Sequence, residues 1–412
     1  MNALAHSGAA LGALAAAPLV AAGLALRPAW RAGFAERLGA APRVAAGGLW
    51  VHAASVGELQ AALRLVAELE AAGQRVVASS FTPAARALLA ARRPGRPATL
   101  APLDHPWCVE RALARAAPRA LVLVETELWP AWIRAAQRRR VPVLLVSGRL
   151  SDRSFPRYAR LQRLFAPTLR RLAWIGARSE QDRARFVALG ARADRVRVSG
   201  DLKLDVGAPP PVRAELERAL RGVPLWVAGS THPGEEALLL DAIARSERLA
   251  ASALALAPRH VERAPELLRL CRARGLRARL RSALGADPIA LGEVLVLDTL
   301  GELASLYALA QVAFIGGSLV PLGGHNPLEA AVLGVPVLHG PHVASVRASI
   351  ELLARAGAAR EVRGAASLAR ALEAWLGDPA AARRAGAAGR LALGPHRGAA
   401  ARSAALVLAA LG

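Results

Sequence analysis

Short runs of apolar residues alternate along this chain with longer stretches in which apolar and polar positions recur at helical spacing. Short apolar runs bounded by polar residues predict buried strands, and the amphipathic stretches between them predict helices. Eleven runs are predicted as strands: 49–53, 75–80, 121–124, 143–146, 174–177, 196–198, 225–228, 253–256, 294–297, 312–315 and 335–338. Strands that alternate with helices indicate an α/β protein with parallel sheets.

A proline-rich break at 207–212 divides these elements into two βαβ-type halves. We therefore expect two doubly wound, Rossmann-like parallel-sheet domains that face a cleft, with ligands at the carboxyl ends of the strands. The expected division is an N-terminal anchor helix (1–27), a first domain (28–206) and a second domain (207–412). From 367 onwards the sequence is rich in alanine and arginine and predicts helices.

The N-terminal stretch 8–26 is uncharged and apolar, although Pro18 interrupts it, and arginines follow at Arg27, Arg31 and Arg37. About 20 apolar residues can span a bilayer, and basic residues after the span place the following chain on the cytoplasmic side. We expect a single membrane anchor here. The alternative is a helix that lies in the membrane interface or is buried in the protein.

The charge is unevenly distributed over the 412 residues, whose formal net charge is +23. Residues 1–200 carry 30 arginines and 12 acidic residues, a charge of +18, whereas residues 201–412 carry +5. The first half is therefore expected to meet nucleic acid, a phospholipid surface or a phosphorylated substrate. Lys203 is the single lysine among 54 basic residues, and the two cysteines predict neither a disulfide framework nor a zinc site.

Acidic residues follow two predicted strands of the first half. Glu58 follows the run 49–53 and lies in the first turn of the next helix, where a carboxylate can act as a general base or simply cap the helix. Glu125 and Glu127 follow the run 121–124, and a strand period of two would place both on one side. A functional and a structural role both remain open for this pair.

Basic residues follow two more strands of the first half. Arg149, Arg153 and Arg157 are spaced by four, so on a helix they would form one basic face, which is either solvated or binds phosphate. Lys203 comes just before the linker, at the mouth of the expected cleft. A compact ammonium there suits a leaving phosphate, although a single lysine can also fall anywhere by chance.

In the second half, four polar segments (229–236, 257–262, 298–303 and 316–329) each follow an apolar run. The last is glycine-rich and leads into a helix expected to begin near Asn326, which predicts an anion site. Arg259 suits a phosphate and Glu329 suits ribose hydroxyls. His52, His232, His260 and His325 are too dispersed to predict a metal site, and capping or hydrogen-bonding roles are expected of them. The sequence has no Walker loop, no GxGxxG and no Asp-x-Asp pair.

Eight segments together resemble the transferases of 3-deoxy-D-manno-octulosonic acid (Kdo) in lipopolysaccharide biosynthesis. They are HAASVGE (52–58), ETELWP (125–130), GRLSDRS (148–154), GDLKLD (200–205), STHPGEE (230–236), PRHVER (258–263), DTLGEL (298–303) and GGSLVPLGGHNPLEA (316–330). The resemblance runs from about residue 27 to 345. The chain departs from it at Asp201, where that family often has asparagine, and in the acceptor-side turn 82–85, which leaves the acceptor open.

The resemblance implies a GT-B fold and metal-independent, inverting transfer of Kdo from CMP-Kdo to a lipid A precursor (lipid IVA) at the cytoplasmic face of the inner membrane. No cofactor is expected, and the expected partners are CMP-Kdo, the lipid acceptor and an anionic membrane surface. It assigns Glu58 as the general base, and Glu125 and Lys203 as groups that stabilise the transition state. It assigns these residues to CMP: Pro258, Arg259, Leu300, Gly301, Glu302, Asn326, Pro327, Leu328 and Glu329.

Two alternatives remain open on the sequence. Another GT-B enzyme, such as a different glycosyltransferase or a sugar-nucleotide epimerase, would share the paired domains and the glycine-rich segment, although it would not require the Glu58 and Glu125 segments. A basic nucleic-acid-binding protein would explain the charge. It would not explain the acidic segments, and an aromatic content of 4% offers little for base stacking.

Overall fold

The computed structural model describes residues 33–42, 47–152, 154–207, 209–285 and 287–412. The chain divides into two compact units. The first unit comprises Met1–Asp205 and Gly398–Gly412, and the second comprises Val206–Arg397.

The first unit contains a seven-stranded parallel sheet in the order β3-β2-β1-β4-β5-β6-β7. Its strands are β1 (Leu49–His52), β2 (Val76–Ser80), β3 (Ala98–Leu100), β4 (Ala120–Val124), β5 (Val143–Gly148), β6 (Trp174–Ala177) and β7 (Val196–Val198). Its helices up to the linker are α1 (Phe34–Arg37), α2 (Val56–Ala71), α3 (Pro83–Arg92), α4 (Pro106–Ala116), α5 (Pro130–Arg138), α6 (Phe155–Arg160), α7 (Gln162–Leu169) and α8 (Glu180–Ala188). The central strands β1 and β4 are buried along their whole length, which explains their continuous apolar runs.

Helix starts in the first unit follow local capping chemistry. The side chains of Ser55, Thr82 and Ser179 cap α2, α3 and α8 by accepting a backbone N–H of the first turn. The apolar faces of the helices pack on both sides of the sheet. On one side Trp50 and Trp132 lie in contact in the core, with 5.3 Å between ring centroids.

The second unit contains another seven-stranded parallel sheet, in the order β10-β11-β9-β8-β12-β13-β14. Its strands are β8 (Leu225–Thr231), β9 (Ala253–Pro258), β10 (Ala278–Leu280), β11 (Val294–Val296), β12 (Val312–Ile315), β13 (Val337–His339) and β14 (Ala359–Glu361). Its helices are α9 (Ala214–Ala219), α10 (Glu235–Ile243), α11 (Glu247–Ala250), α12 (Ala264–Arg272), α13 (Leu303–Leu306), α14 (Leu328–Ala331), α15 (Arg347–Arg355), α16 (Ala365–Gly377) and α17 (Pro379–Leu393).

Five single-turn 3₁₀ helices complete the described secondary structure: Ala193–Arg195, Val261–Arg263, Arg281–Ala283, Tyr307–Leu309 and Gly394–His396. The core of the second unit is built on β8, β9 and β12, with Trp226 and Phe314 fully buried.

The prediction of two parallel sheets with helices between the strands is confirmed, and each of the eleven predicted runs overlaps a strand. Three strands were missed: β3, β10 and β14. Each has three residues, and β3 and β10 lie at one edge of their sheets while β14 lies at the other edge of the second. A strand of three residues at a sheet edge is too short to give a continuous apolar run, so it gives a weak pattern.

The C-terminal helix α18 (Ala399–Ala409) belongs to the first unit, which corrects the expectation that 207–412 forms one domain. Ala400, Ala404 and Val407 are buried in the same cluster as residues of β1 and α2. The buried Asp205 carboxylate accepts the N–H of Gly398 at 2.8 Å and that of Ala400 at 2.7 Å. A carboxylate at a helix N-terminus is favoured by both the free N–H groups and the helix dipole, and it fastens this helix to the end of the first unit's main segment.

The expected N-terminal anchor helix falls in residues that lie outside the described part of the chain. Within the described residues, no helix combines the length and apolarity that crossing a bilayer requires.

Candidate active site

In the first unit, the chain leaves β1 towards β2 on one side, and β4 lies on the other side of β1. In open α/β sheets, ligands bind outside the carboxyl ends of the strands at such a switch point. Glu58 follows β1 and Glu125 follows β4, so the fold brings both carboxylates to this point. The neighbouring strand β5 ends at Gly148, and its residue Ser147 contributes to the same end of the sheet.

Local hydrogen bonds fix the carboxylate of Glu58 at the start of α2. Its Oε2 accepts the N–H of Ala54 at 2.9 Å and its Oε1 accepts the hydroxyl of Ser55 at 3.0 Å. The Ser55 hydroxyl oxygen in turn accepts the Glu58 N–H at 3.3 Å, so the two residues bind each other at the helix start in a variant of the capping box. Each carboxylate oxygen keeps a further lone pair, so the helix cap and a general base can be the same group.

Glu125 forms an ion pair with Lys203, Oε1 to Nζ, and its backbone lies in the left-handed region with φ of 63°. The two side chains are 18% and 39% exposed. Burial raises the pKa of Glu125, the positive charge of Lys203 opposes this rise, and the charges of Glu58 and Asp201 add to it. A non-glycine residue held at positive φ directly after a buried strand indicates a position that the surrounding structure fixes.

Asp201, which was noted in the sequence only as a departure, organises the segment that carries Lys203. Its Oδ1 accepts the N–H of Lys203 at 2.9 Å, and its Oδ2 lies 3.3 Å from Nη1 of Arg178. The Ser147 hydroxyl, on another residue with positive φ, donates to Oδ1 at 3.4 Å and accepts the N–H of Leu202 at 3.1 Å. These contacts hold the backbone of Lys203 in place beside the end of β5.

Glu127 is held by the indole of Trp129, which donates to its Oε2 at 2.5 Å. Trp129 stacks on Phe81 with 5.9 Å between centroids, and the guanidinium of Arg37 lies 4.7 Å from the centroid of Phe81. Burial and the negative charge of Glu58 raise the pKa of Glu127 to about 7. At neutral pH this carboxyl is therefore partly protonated, unlike an ordinary surface glutamate.

We expect Glu127→Gln to flatten the pH dependence of stability. Because the folded state favours the protonated carboxyl, the wild-type free energy of unfolding falls as pH rises from about 4.5 to about 7. The glutamine cannot ionise, so the variant should be more stable above pH 7 by on the order of 1 kcal/mol after allowance for solvent screening.

Urea midpoints at pH 5 and pH 8 check this expectation, with Glu68→Gln on the exposed face of α2 as the matched control. Equal pH slopes in the wild type and in Glu127→Gln would contradict it.

The predicted basic face of Arg149, Arg153 and Arg157 is wrong for Arg149. Helix α6 begins only at Phe155, and Arg149 lies in the loop after β5, while Arg153 falls outside the described residues. The buried carboxylate of Asp182 accepts the N–H of Leu150 at 2.7 Å and so fixes this loop in a non-helical path.

In the second unit, the equivalent switch point lies between β8 and β12, with β9 on the far side of β8. Glu235, the first residue of α10, is fully buried beneath the loops that follow β8 and β12. Its carboxylate accepts four backbone N–H groups, those of His232, Gly317, Ser318 and Leu319, at 2.7–3.0 Å. The carboxylate of Glu235 thus fixes the glycine-rich loop through the backbone N–H groups of that loop.

Three histidines and an arginine gather above this loop. His232 Nε2 lies 2.8 Å from His325 Nε2, and the ring of His260 lies 6.2 Å from that of His232. Arg259 follows β9 directly, its N–H donates to the carbonyl of Thr231 at 2.9 Å, and its side chain is exposed. The histidines that seemed dispersed in the sequence therefore converge, apart from His52. His52 is buried in the first unit, where its Nδ1 lies 3.0 Å from the Ser79 hydroxyl.

The other residues predicted to bind nucleotide lie around the same end of the sheet, and they differ in exposure and in the contacts that they make. Pro258 ends β9, Leu300 is 78% exposed, and Gly301 has a φ of 85°. The carboxylate of Glu302 is buried and already paired, with Arg281 Nη2 at 2.9 Å and Arg213 Nε at 3.0 Å. Glu302 is therefore already engaged in ion pairs within the protein.

Helix α14 begins at Leu328, two residues later than expected, and it is one turn long. The Asn326 side chain accepts the N–H of Leu328 at 3.0 Å, Pro327 precedes the helix, and Leu328 is buried. Glu329 is largely buried, which raises its pKa, and lies 3.4 Å from Asn326 Nδ2. The helix start therefore lies at Leu328, where Asn326 caps it, and the anion site expected at this segment stays a prediction.

Sequence reasoning missed the roles of Glu235 and Asp201. Both lie in polar segments that the sequence pattern identifies. The sequence does not distinguish a carboxylate that accepts backbone N–H groups from one that faces solvent. Among the described residues, no group of three or more histidines, cysteines and acids is arranged to hold a metal ion.

Comparison with known proteins agrees with this architecture. Residues 32–206 match the family model described as 3-deoxy-D-manno-octulosonic-acid transferase (kdotransferase). The chain is 35% identical to 3-deoxy-D-manno-octulosonic acid transferase of Bordetella pertussis, over 88% of this chain and 87% of that protein. It is 31% identical to the enzyme of the same name from Haemophilus influenzae, over 85% and 84%.

A solved structure, MurG of Acinetobacter baumannii, shares the fold with a TM-score of 0.53 and 15% identity, over 88% of this chain and 99% of that one. This likeness concerns the fold, which is GT-B-like. The curated relatives carry the assignment, since they cover most of the chain at more than 30% identity: the chain belongs to the 3-deoxy-D-manno-octulosonic acid (Kdo) transferase family of glycosyltransferases.

Proposed function

We propose that this protein transfers Kdo from CMP-Kdo to a lipid A precursor, lipid IVA, by an inverting and metal-independent reaction. The observation that carries the proposal is Glu58, a fixed carboxylate at the switch point of the first unit in a chain of this family.

Glu58 acts as the general base. It takes the proton from the acceptor hydroxyl while that oxygen bonds to the anomeric carbon of Kdo, and the bond from this carbon to the phosphate oxygen of CMP breaks. CMP leaves with the bonding electrons. A single direct displacement inverts the anomeric carbon, and the transition state has oxocarbenium character as in other glycosyl transfers.

Cationic side chains neutralise the charge that develops on the leaving phosphate. Lys203, held by Glu125 and by the Asp201 segment, supplies a compact ammonium, and Arg259 supplies a guanidinium fork. Two such groups perform the electrostatic task that a divalent metal performs in many nucleotide-sugar enzymes, which supports a metal-independent reaction.

The acceptor side supports work at an anionic membrane surface on the cytoplasmic face of the inner membrane. Arg157, Arg160 and Arg163 on α6 and α7 are exposed, and the neighbouring Leu161 and Leu164 are 53% and 68% exposed. Arginines interleaved with exposed leucines bind phosphates while the leucines enter the interface.

The experiment is to incubate the purified full-length protein with CMP-Kdo and lipid IVA, in EDTA and in Mg²⁺, and to measure the product mass. We expect one or more added Kdo units at equal rates in both media. An unchanged acceptor mass in both would refute the transfer, and product in Mg²⁺ only would refute metal independence. NMR of the new anomeric centre distinguishes inversion from retention.

A further inference from the structure

Two imidazoles meet edge to edge at the switch point of the second unit. His232 follows β8 and His325 follows β12; their rings are within 7° of parallel and their Nε2 atoms are 2.8 Å apart. Two basic nitrogens approach this closely only with a proton between them, so one ring donates and the other accepts.

The shared proton determines which hydrogen bonds the pair presents outward. In the neutral pair, the accepting ring must carry its own proton on Nδ1, whereas the donating ring has a lone pair at Nδ1. The pair then presents one donor and one acceptor. When one more proton is added, both Nδ1 atoms become donors, and the pair suits an anion.

The surroundings favour an anion at this place. Gly317 lies beneath the pair, and a Cβ there would lie 3.0 Å from Cδ2 of His325. The amides of 317–319 already donate to Glu235, so they are engaged and do not bind a ligand from above. Arg259 and the two imidazoles are then the donors best placed for a phosphate at this sheet end.

We propose that His232 and His325 act as a proton-sharing pair that binds the phosphate of the nucleotide donor together with Arg259, and that nucleotide binding draws one proton onto the pair. This inference rests on the proposed function, because it takes CMP-Kdo as the ligand.

The charges around the pair set the direction of this coupling. His232 is faced by Glu235 and Glu236 of α10 and by Arg259 and His260 after β9, and His325 is faced by His232 and Arg259. Burial is the main cause that lowers the pKa of both rings, that of His325 to about 4; Arg259 adds to this, and Glu235 and Glu236 oppose it at His232, so the free pair is neutral and has one proton between its rings at neutral pH. A phosphate offsets the charge of Arg259 and raises the pKa of the pair.

The first test is calorimetry of CMP binding to the full-length protein at pH 7.5, in buffers of different ionisation enthalpy. We expect net proton uptake for the wild type, no uptake for His325→Gln, and a Kd about tenfold higher in that variant because a charge-assisted hydrogen bond is lost. His105→Gln, in the first unit, is the matched control and should behave as the wild type. Cytidine, which lacks the phosphate, should bind without proton uptake.

The second test needs no variant: ¹⁵N NMR of the histidine rings should show one Nδ1–H and one Nε2–H ring before CMP is added, and one doubly protonated ring beside one Nδ1–H ring afterwards. CMP binding without proton uptake, or unchanged tautomers, would overturn the inference and leave the proposed function intact. Failure of CMP to bind the wild-type protein would instead overturn the nucleotide donor itself.

Discussion

Glu58→Gln is expected to lower the rate of sugar transfer by about 10²–10⁴-fold while donor binding stays unchanged. The amide oxygen of a glutamine at this position can accept the N–H of Ala54, and its amide N–H can donate to the Ser55 hydroxyl oxygen, so the side chain stays in place. It cannot accept a proton from the acceptor hydroxyl, so the variant isolates the base from the helix cap. Glu58→Ala removes the base together with the carboxylate's hydrogen bonds to Ala54 and Ser55, and we expect it to abolish transfer and also to lower stability by about 1 kcal/mol, although Ser55 still caps α2.

Turnover with saturating substrates, CMP binding by calorimetry and the thermal midpoint together separate these effects. Glu68→Gln, on the exposed side of the same helix, is the matched control and should retain turnover, binding and midpoint. If Glu58→Gln turns over within a few-fold of the wild type, the base lies elsewhere, and Glu127 becomes the next carboxylate to test.

Lys203→Arg is expected to lower the rate of transfer by roughly 10²–10³-fold, the usual cost of removing one preorganised group from a developing negative charge. The planar guanidinium does not occupy the place of a compact ammonium beside Glu125, although it keeps the positive charge. The chain has arginine at its other 53 basic positions, so the Lys203→Arg variant tests whether this one position requires lysine.

Lys203→Ala adds a pH signature to this test. The lysine charge lowers the pKa of Glu125, so its removal raises that pKa further, and the acidic limb of the pH–rate profile should move to higher pH. A double-mutant cycle with Glu125→Gln should show coupled rather than additive losses. A wild-type rate in Lys203→Arg would contradict a specific role for lysine at this position. Additive losses in the double-mutant cycle, with an unchanged acidic limb of the pH–rate profile, would contradict the coupling of Lys203 to Glu125.

The fold class could be predicted from the sequence because the central strands are buried on both faces and must be apolar throughout, as β4 and β12 are. The edge strands β3 and β10 could not be predicted, because three residues are too few to form such an apolar run. The return of α18 to the first unit could not be predicted either. Its alanine-rich apolar face fits many surfaces, and the contact that selects one, Asp205 with the N–H groups of Gly398 and Ala400, joins residues nearly two hundred positions apart.

The candidate site shows the same division. Polar residues after buried strands, such as Glu58, Glu125 and Arg259, stand out against the apolar runs, and the parallel topology places them at the carboxyl ends of the sheets. What each side chain contacts could not be predicted. Glu302 and Glu235 stand in similar polar segments, yet one is neutralised by arginines and the other by backbone amides. Which groups neutralise a given carboxylate depends on packing between distant parts of the chain, and this packing leaves no periodic pattern in the sequence.

The position of α18 has a consequence for how the protein is made on the ribosome. The first unit is synthesised first but lacks its last helix until the chain ends, and the intervening Val206–Arg397 takes roughly 10–40 s to translate at ordinary elongation rates. During that interval the apolar surface that later receives Ala404 and Val407 lacks its cover. Loss of the fifteen residues Gly398–Gly412, for example through a premature stop codon, is therefore expected to destabilise the first unit, which carries Glu58, and to leave the second unit intact.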